Sequence, residues 1–209
     1  MFDSRGKKVS GFKPNTFESS IIKSPVHIRI DGKDFIIVQL ENGILKILDR
    51  RGRDRINVDE KIQFSENSIY SYMKTFTTTD NQGNLIQVDL DGKLSKKNLN
   101  ISNDNLIDIK NNNLVFISEN ILSIKGININ LPFGRYSKPK IFNESGDMLI
   151  GITNLDESDI YLYQNNGDLL DGFPVKGNSI IDVKNSDKDD KTEVLTRLDN
   201  FSIVSYEIN

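Results

Sequence analysis

The sequence predicts an all-β chain, and three observations predict it. The 209 residues include no alanine, the strongest helix former, and no tryptophan. Apolar runs are short and bounded by Asn, Asp, Gly and Ser, below the roughly 10–12 residues that a buried helix needs. One unit also recurs along the whole chain: an apolar strand, a tight Asn/Asp/Gly turn, a second apolar strand, and a turn centred on glycine.

The first copy of that unit runs from Asp34 to Leu40, turns at Glu41-Asn42-Gly43, and returns from Ile44 to Asp49 before a turn at Gly52. Asn-Gly between apolar strands is a strong hairpin signal, because both residues tolerate positive φ. Later copies are Lys74–Asp80 with Leu85–Leu90, Asn113–Ser118 with Ile121–Lys125, Met148–Thr153 with Ile160–Tyr163, and Thr192–Thr196 with Phe201–Tyr206. A leading strand precedes each hairpin, at Pro25–Ile30, Ile69–Met73, Leu106–Lys110, Pro139–Phe142 and Ser179–Val183. A trailing strand follows the first four, at Arg55–Val58, Leu94–Leu99, Ile127–Leu131 and Leu169–Val175. The turn glycines Gly6, Gly52, Gly92, Gly126 and Gly167 are 46, 40, 34 and 41 residues apart. That is close to the span of one four-stranded propeller blade, about 40–50 residues.

The expectation is therefore a single β-propeller domain over residues 1–209 with about five blades, in units near 1–20, 21–62, 63–102, 103–135, 136–177 and 178–209. The last unit lacks a trailing strand, and residues 1–12 supply a turn and a strand without predecessors. An N-terminal strand that completed the last blade would remove two exposed edges and bury Val9 and Phe12 against Phe201–Tyr206. The other reading of these ends is a cut through a longer propeller.

Composition narrows the chemistry. A net charge of −3 gives no general field for nucleic acid, and the absence of cysteine removes disulfides, thiolate nucleophiles and Cys-ligated zinc. His27 is the only histidine. No apolar stretch reaches the roughly 18–20 residues of a membrane-spanning helix, so no membrane insertion is expected. No Gly-x-Ser-x-Gly or phosphate loop occurs. Of the carboxylates on leading strands, only Asp108 and Asp182 are placed for a glycosidase-type pair, so an enzyme is the alternative to a binding module or a structural cap.

The unit resembles the propeller repeats of the quinoprotein-like and FG-GAP/VCBS type over essentially the whole chain, most closely at Gly172–Ser179 and Asn185–Glu193. It is also similar to the propeller-bearing C-terminal part of large Bacteroidetes proteins, some of them labelled ribonuclease HII. The Gly-x-Asp-Glu-x-Gly motif of that nuclease is absent here. The resemblance implies a non-catalytic module for a protein or glycan ligand, within a longer cell-envelope or secreted polypeptide. It also implies a weak Ca²⁺ site, since Asn185, Asp187, Asp189 and Glu193 fall at positions 1, 3, 5 and 9 of a D-x-D-x-D-G-x-x-[DE] loop. Hard oxygen ligands suit calcium. Asn185 removes one charge, however, and Asp190 stands where glycine normally turns the loop. A solvated acidic turn is the other reading.

Aromatic residues mark the connections between blades. Phe12, Phe133 with Arg135 and Tyr136, and Phe173 all fall where one blade crosses to the next. They serve either as a ligand-binding ring or as wedges that seat each crossing on its neighbour. The sequence favours the wedge for the three phenylalanines and leaves Arg135 and Tyr136 open. The basic run Arg50–Arg55 reads as a solvated hairpin tip, because Asp49, Asp54, Asp59 and Glu60 lie beside it.

Charge generates a test of the calcium loop. Four carboxylates on residues 187–193 repel one another without a cation. Millimolar Ca²⁺ is expected to raise the melting temperature modestly, in line with a Kd of ~10⁻⁴–10⁻³ M, with Mg²⁺ much less effective. Asp187→Ala should abolish the increment, and equal indifference of wild type and variant to calcium would identify a solvated turn.

Overall fold

The computed structural model describes residues 4–7, 10–13, 16–101, 107–144, 147–185 and 191–208, with residue 144 described by its backbone alone. Its packing divides into two compact units, residues 1–104 and 105–209. Every sheet is an antiparallel meander in chain order.

The first unit carries two four-stranded sheets. One is β1 (Val26–Ile30), β2 (Lys33–Gln39), β3 (Leu45–Leu48) and β4 (Asp54–Ile56); the other is β5 (Tyr70–Tyr72), β6 (Thr75–Thr79), β7 (Asn84–Val88) and β8 (Leu94–Asn98). In the second unit, β9 (Ile107–Lys110), β10 (Asn113–Ser118), β11 (Ile121–Ile124) and β12 (Ile127–Asn130) form a third sheet. A fourth comprises β13 (Lys140–Glu144), β14 (Asp147–Asn154), β15 (Asp159–Gln164) and β16 (Val175–Lys176). The last is β17 (Asp182–Lys184), β18 (Thr192–Arg197) and β19 (Ile203–Ile208), and no fourth strand pairs with β19 among the described residues. Leading strands lie side by side, β1 with β5 in the first unit and β13 with both β9 and β17 in the second. Stacking on leading strands is the arrangement of propeller blades.

Apolar alternation seats the sheets face to face. Phe35 and Ile37 of β2 join Ile47, Phe76, Ile86 and Val88 in one core, where the Phe35 and Phe76 rings meet edge to face at 5.0 Å. Val38 and Leu40 point the other way, into a cluster covered by Phe17. In the second unit Met148, Ile150 and Ile152 of β14 pack with Tyr161 and Tyr163, while Leu149 packs with Phe142, Ile160, Ile181 and Val194.

The expected strand positions are largely occupied, with two instructive departures. The expected strand Leu169–Val175 is interrupted: Leu169 bridges to Tyr163, and pairing resumes only at Val175. Between them Gly172 turns the chain at φ 85°, and Pro174 has no N–H to give a ladder. At the N-terminus Val9 lies outside the described residues. Phe12 is half-buried outside any strand, and the Lys13 N–H donates to the Arg51 carbonyl at 2.8 Å.

Turns repeat one hydrogen-bond pattern. At Asp49, Asp80 and Asp89 the carboxylate accepts backbone N–H groups two and four residues on, and a glycine at the third following position closes the turn. The Arg53 N–H, followed by the Arg53 side chain and the Arg51 N–H, holds the Asp49 carboxyl down at about 2. Gly83 closes the Asp80 turn at φ 78°, and a Cβ there would lie 2.0 Å from the Ile101 carbonyl oxygen. Gly32 has a similar φ of 76° but open space around it. Gly32→Ala should therefore cost about 1–2 kcal/mol, the left-handed backbone cost alone. Gly83→Ala should cost an additional ~1–3 kcal/mol of overpacking. Chemical denaturation of the two variants checks this, and equal losses would disprove the close approach.

Candidate functional site

Among the described residues, four of the five sheets are entered by a crossing segment that bonds to the hairpin end of that same sheet. Ser20 and Ile22 pair with Glu41 and Gln39, Gln63 and Ser65 with Asn81 and Thr79, Arg135 and Ser137 with Leu155 and Thr153, and Asn178 with Arg197. Hydroxyls reinforce the joint: Ser65 Oγ lies 2.6 Å from Thr79 Oγ1, Ser137 Oγ accepts the Thr153 N–H at 3.0 Å, and Ser179 Oγ lies 3.2 Å from Thr196 Oγ1. Crossings and hairpin turns thus come together.

The segment 132–137 is the most elaborate of these joints. Tyr136 pairs as an isolated bridge with Asn154, and its hydroxyl donates to the Pro132 carbonyl at 2.7 Å. Asn154, fully buried, reaches the Phe133 carbonyl with Nδ2 at 3.4 Å and uses its Oδ1 to accept the N–H groups of Asp156 and Glu157. A Cβ on Gly134 would lie 2.5 Å from the Asn154 amide, so glycine is what lets the segment approach. Asp156 receives the Arg135 N–H at 2.8 Å and pairs with its guanidinium at 3.4 Å. This closed set of bonds holds Phe133 out at 91% exposure. The wedge expected for Phe133 is thereby corrected: its backbone is tied down while its ring faces solvent.

Of the sequence-predicted ligand residues, Phe133, Arg135 and Tyr136 come together on this loop. Phe173 does not join them; it is half-buried and packs against the cluster that contains Leu162, Val183 and Val194. Asn154 and Asp156 were missed, since only the bridge that aligns Tyr136 with Asn154 brings them in. Of the residues expected to ligate calcium, Asp187 and Asp189 lie outside the described residues. Asn185 and Glu193 are half-buried, and Glu193 sits on β18 opposite Lys184 and Glu207. No group of three metal-ligating side chains occurs among the described residues.

Asp108 and Asp182 carry bonds between leading strands. Asp108 Oδ2 accepts the Ile141 N–H at 2.8 Å, and Lys140 Nζ donates to Asp182 Oδ1 at 2.8 Å. Lys110 and Lys140 also reach the carbonyls of Ile141 and Ile181.

Beneath the loop Tyr161 and Tyr163 stack with ring centroids 6.3 Å apart. Burial, then the neighbouring Tyr161, pushes the Tyr136 phenol up to about 12, and burial does the same for Tyr163.

No protein-family model and no curated protein matches the sequence. Solved structures do share the fold. Hsv2 of Kluyveromyces lactis superposes with a TM-score of 0.61 at 15% identity, over 84% of this chain and 58% of its own. BBS1N, solved in complex with ARL6DN, gives 0.60 at 14% identity, over 94% and 67%. BamB from Moraxella catarrhalis gives 0.52 at 11% identity, over 86% and 62%. The chain is thus of propeller type and spans about three-fifths to two-thirds of the length of these proteins.

The raised phenols set an alkaline limit. Both keep their protons in the folded state above the ordinary tyrosine value of about 10, so their contribution is complete below that pH and is lost as pH rises towards 12. Burial also raises the Tyr161 phenol, so ultraviolet titration should find three of the six tyrosines ionising late. In Tyr136→Phe one late phenol should vanish, with about 1 kcal/mol lost from its hydrogen bond to Pro132.

Proposed function

We propose that this chain is a non-catalytic interaction module that takes a protein ligand at the Phe133–Arg135 loop. One observation carries the reading: Phe133 is a large aromatic side chain, 91% exposed, on backbone fixed by Tyr136, Asn154 and Asp156. A rigid aromatic anchor beside an arginine loses little freedom on binding and matches the composition of interface hot spots. BBS1N, of similar fold, was solved in complex with another protein, which supports a protein over a glycan as ligand.

An enzyme of glycosidase type is the weaker reading, because Asp108 and Asp182 are engaged by Ile141 and Lys140. The propeller resemblance favours a cell-envelope or secreted setting within a longer polypeptide. No helix of the described residues is long and apolar enough to cross a membrane.

A random peptide library and a glycan array, screened in parallel, test the reading. Binders should come from the peptides, and Phe133→Ala should weaken them about thirtyfold or more, the loss of a hot spot, with the melting temperature unchanged. Ligands that bind wild type and Phe133→Ala equally would refute this site; binders from the glycan array alone would refute the protein ligand.

A further inference from the structure

We propose that an arginine cluster organised by Asp34 on the first sheet binds a phosphate-type dianion. The cluster assembles from two hairpins. The β1–β2 pairing sets Arg29 opposite Asp34, with His27 two positions earlier on the same strand face. The turn after β3 contributes Arg50, Arg51 and Arg53, and β4 contributes Arg55.

Asp34 is the fixed point. Its carboxylate is largely buried, yet His27 Nε2 lies 3.0 Å and Arg29 Nη1 3.2 Å from Oδ1, and Arg50 Nε lies 3.5 Å from Oδ2. Arg55 donates to the Asp34 carbonyl at 2.8 Å while its guanidinium rests 4.9 Å from the centre of the Phe35 ring. Asp49 takes Arg53 through two nitrogens, at 2.9 and 2.8 Å. The remaining carboxylate of the stretch, Asp54, pairs with Lys46.

The charges do not cancel. Arg29 and Arg50 reach the Asp34 carboxylate, Arg53 reaches that of Asp49, and Arg51 and Arg55 stand beside them, so five guanidinium groups are set against two carboxylates and positive charge is in excess even though Asp54 shares Lys46 with Glu18. Arg29 and Arg50 remain 64% and 80% exposed, so most of their N–H groups are directed away from Asp34. Arg51 gives Asp49 only its backbone N–H, and its exposed side chain has no protein partner among the described residues. Arg50 and Arg51, with Arg53, Arg55 and Asp49, line a cavity of about 200 Å³.

The ligand class follows from this geometry. Guanidinium forks match phosphate and carboxylate oxygens in pairs. A carboxylate occupies one fork, whereas a tetrahedral dianion offers oxygens to several forks at once and balances more of the excess charge. No aromatic side chain lines the cavity, so the stacking platform that single-stranded nucleic acid uses is missing.

Titration with inorganic phosphate, at a pH where it is a dianion and with ionic strength held constant by chloride, tests the proposal by NMR. Saturable shifts should be confined to residues 49–55 and Arg29. Arg50→Gln and Arg51→Gln should each weaken binding about tenfold, and more in combination, with the amide spectrum otherwise unchanged. Lys97→Gln, on β8, should bind as wild type. Co-sedimentation with phosphatidylcholine vesicles, with and without phosphatidic acid, separates the sources. Pelleting that depends on phosphatidic acid and on both arginines assigns a lipid-borne phosphate, and its absence alongside phosphate binding assigns a soluble one. Shifts that never saturate, that chloride reproduces, or that persist at full affinity in the double variant would overturn the proposal.

Discussion

Middle strands such as β2, β7 and β14 are buried on both faces, and the rest of the architecture depends on that constraint. In β14 every position from Met148 to Asn154 is buried, with odd and even side chains entering two different cores. Burial of this kind stabilises by roughly 25 cal/mol per Å² of apolar surface removed from water, but it leaves no room on the strand for a polar group without a partner. Recognition chemistry is therefore pushed out to turns and crossings. Buried polar side chains such as Thr79, Thr153 and Asn154 are kept because they tie crossing segments down.

Two exposed features follow that division of labour. The Phe133 loop and the Asp34 arginine cluster each place flexible, solvent-facing groups on backbone or carboxylates that are themselves immobilised. Elsewhere charged side chains mostly serve structure. Lys140 pairs with Asp182 and lies over the Phe142 ring at 4.9 Å, and Lys176 pairs with Asp159. A surface ion pair of this kind contributes at most about 1 kcal/mol; here its use is to fix one strand against another.

Much of the strand plan was legible because β-periodicity and Asn/Asp/Gly turns are local signals. The hairpin at Asn42-Gly43 and the strands on either side needed only neighbouring residues to be read. Leu169–Val175 was misread because its apolar composition hides a left-handed Gly172 and a proline that interrupt pairing. The site was half legible: Phe133, Arg135 and Tyr136 are neighbours in sequence, while Asn154 and Asp156, 18 to 21 residues on, set the loop's geometry. His27 is a similar case. It reads as an isolated strand residue until the β1–β2 register carries it to Asp34, and the β2–β3 and β3–β4 pairings bring a run of arginines beside the same carboxylate.

Crossing segments bond to the hairpin of the blade they enter, at Ser20–Ile22, Gln63–Ser65, Arg135–Ser137 and Asn178. The natural module is therefore offset from the sheet. It begins midway through one connection and ends midway through the next, carrying its own fastening with it. A gene segment copied between two such midpoints would deliver a blade already able to lock its entrance, and the flanking copies would need only a peptide bond at each end.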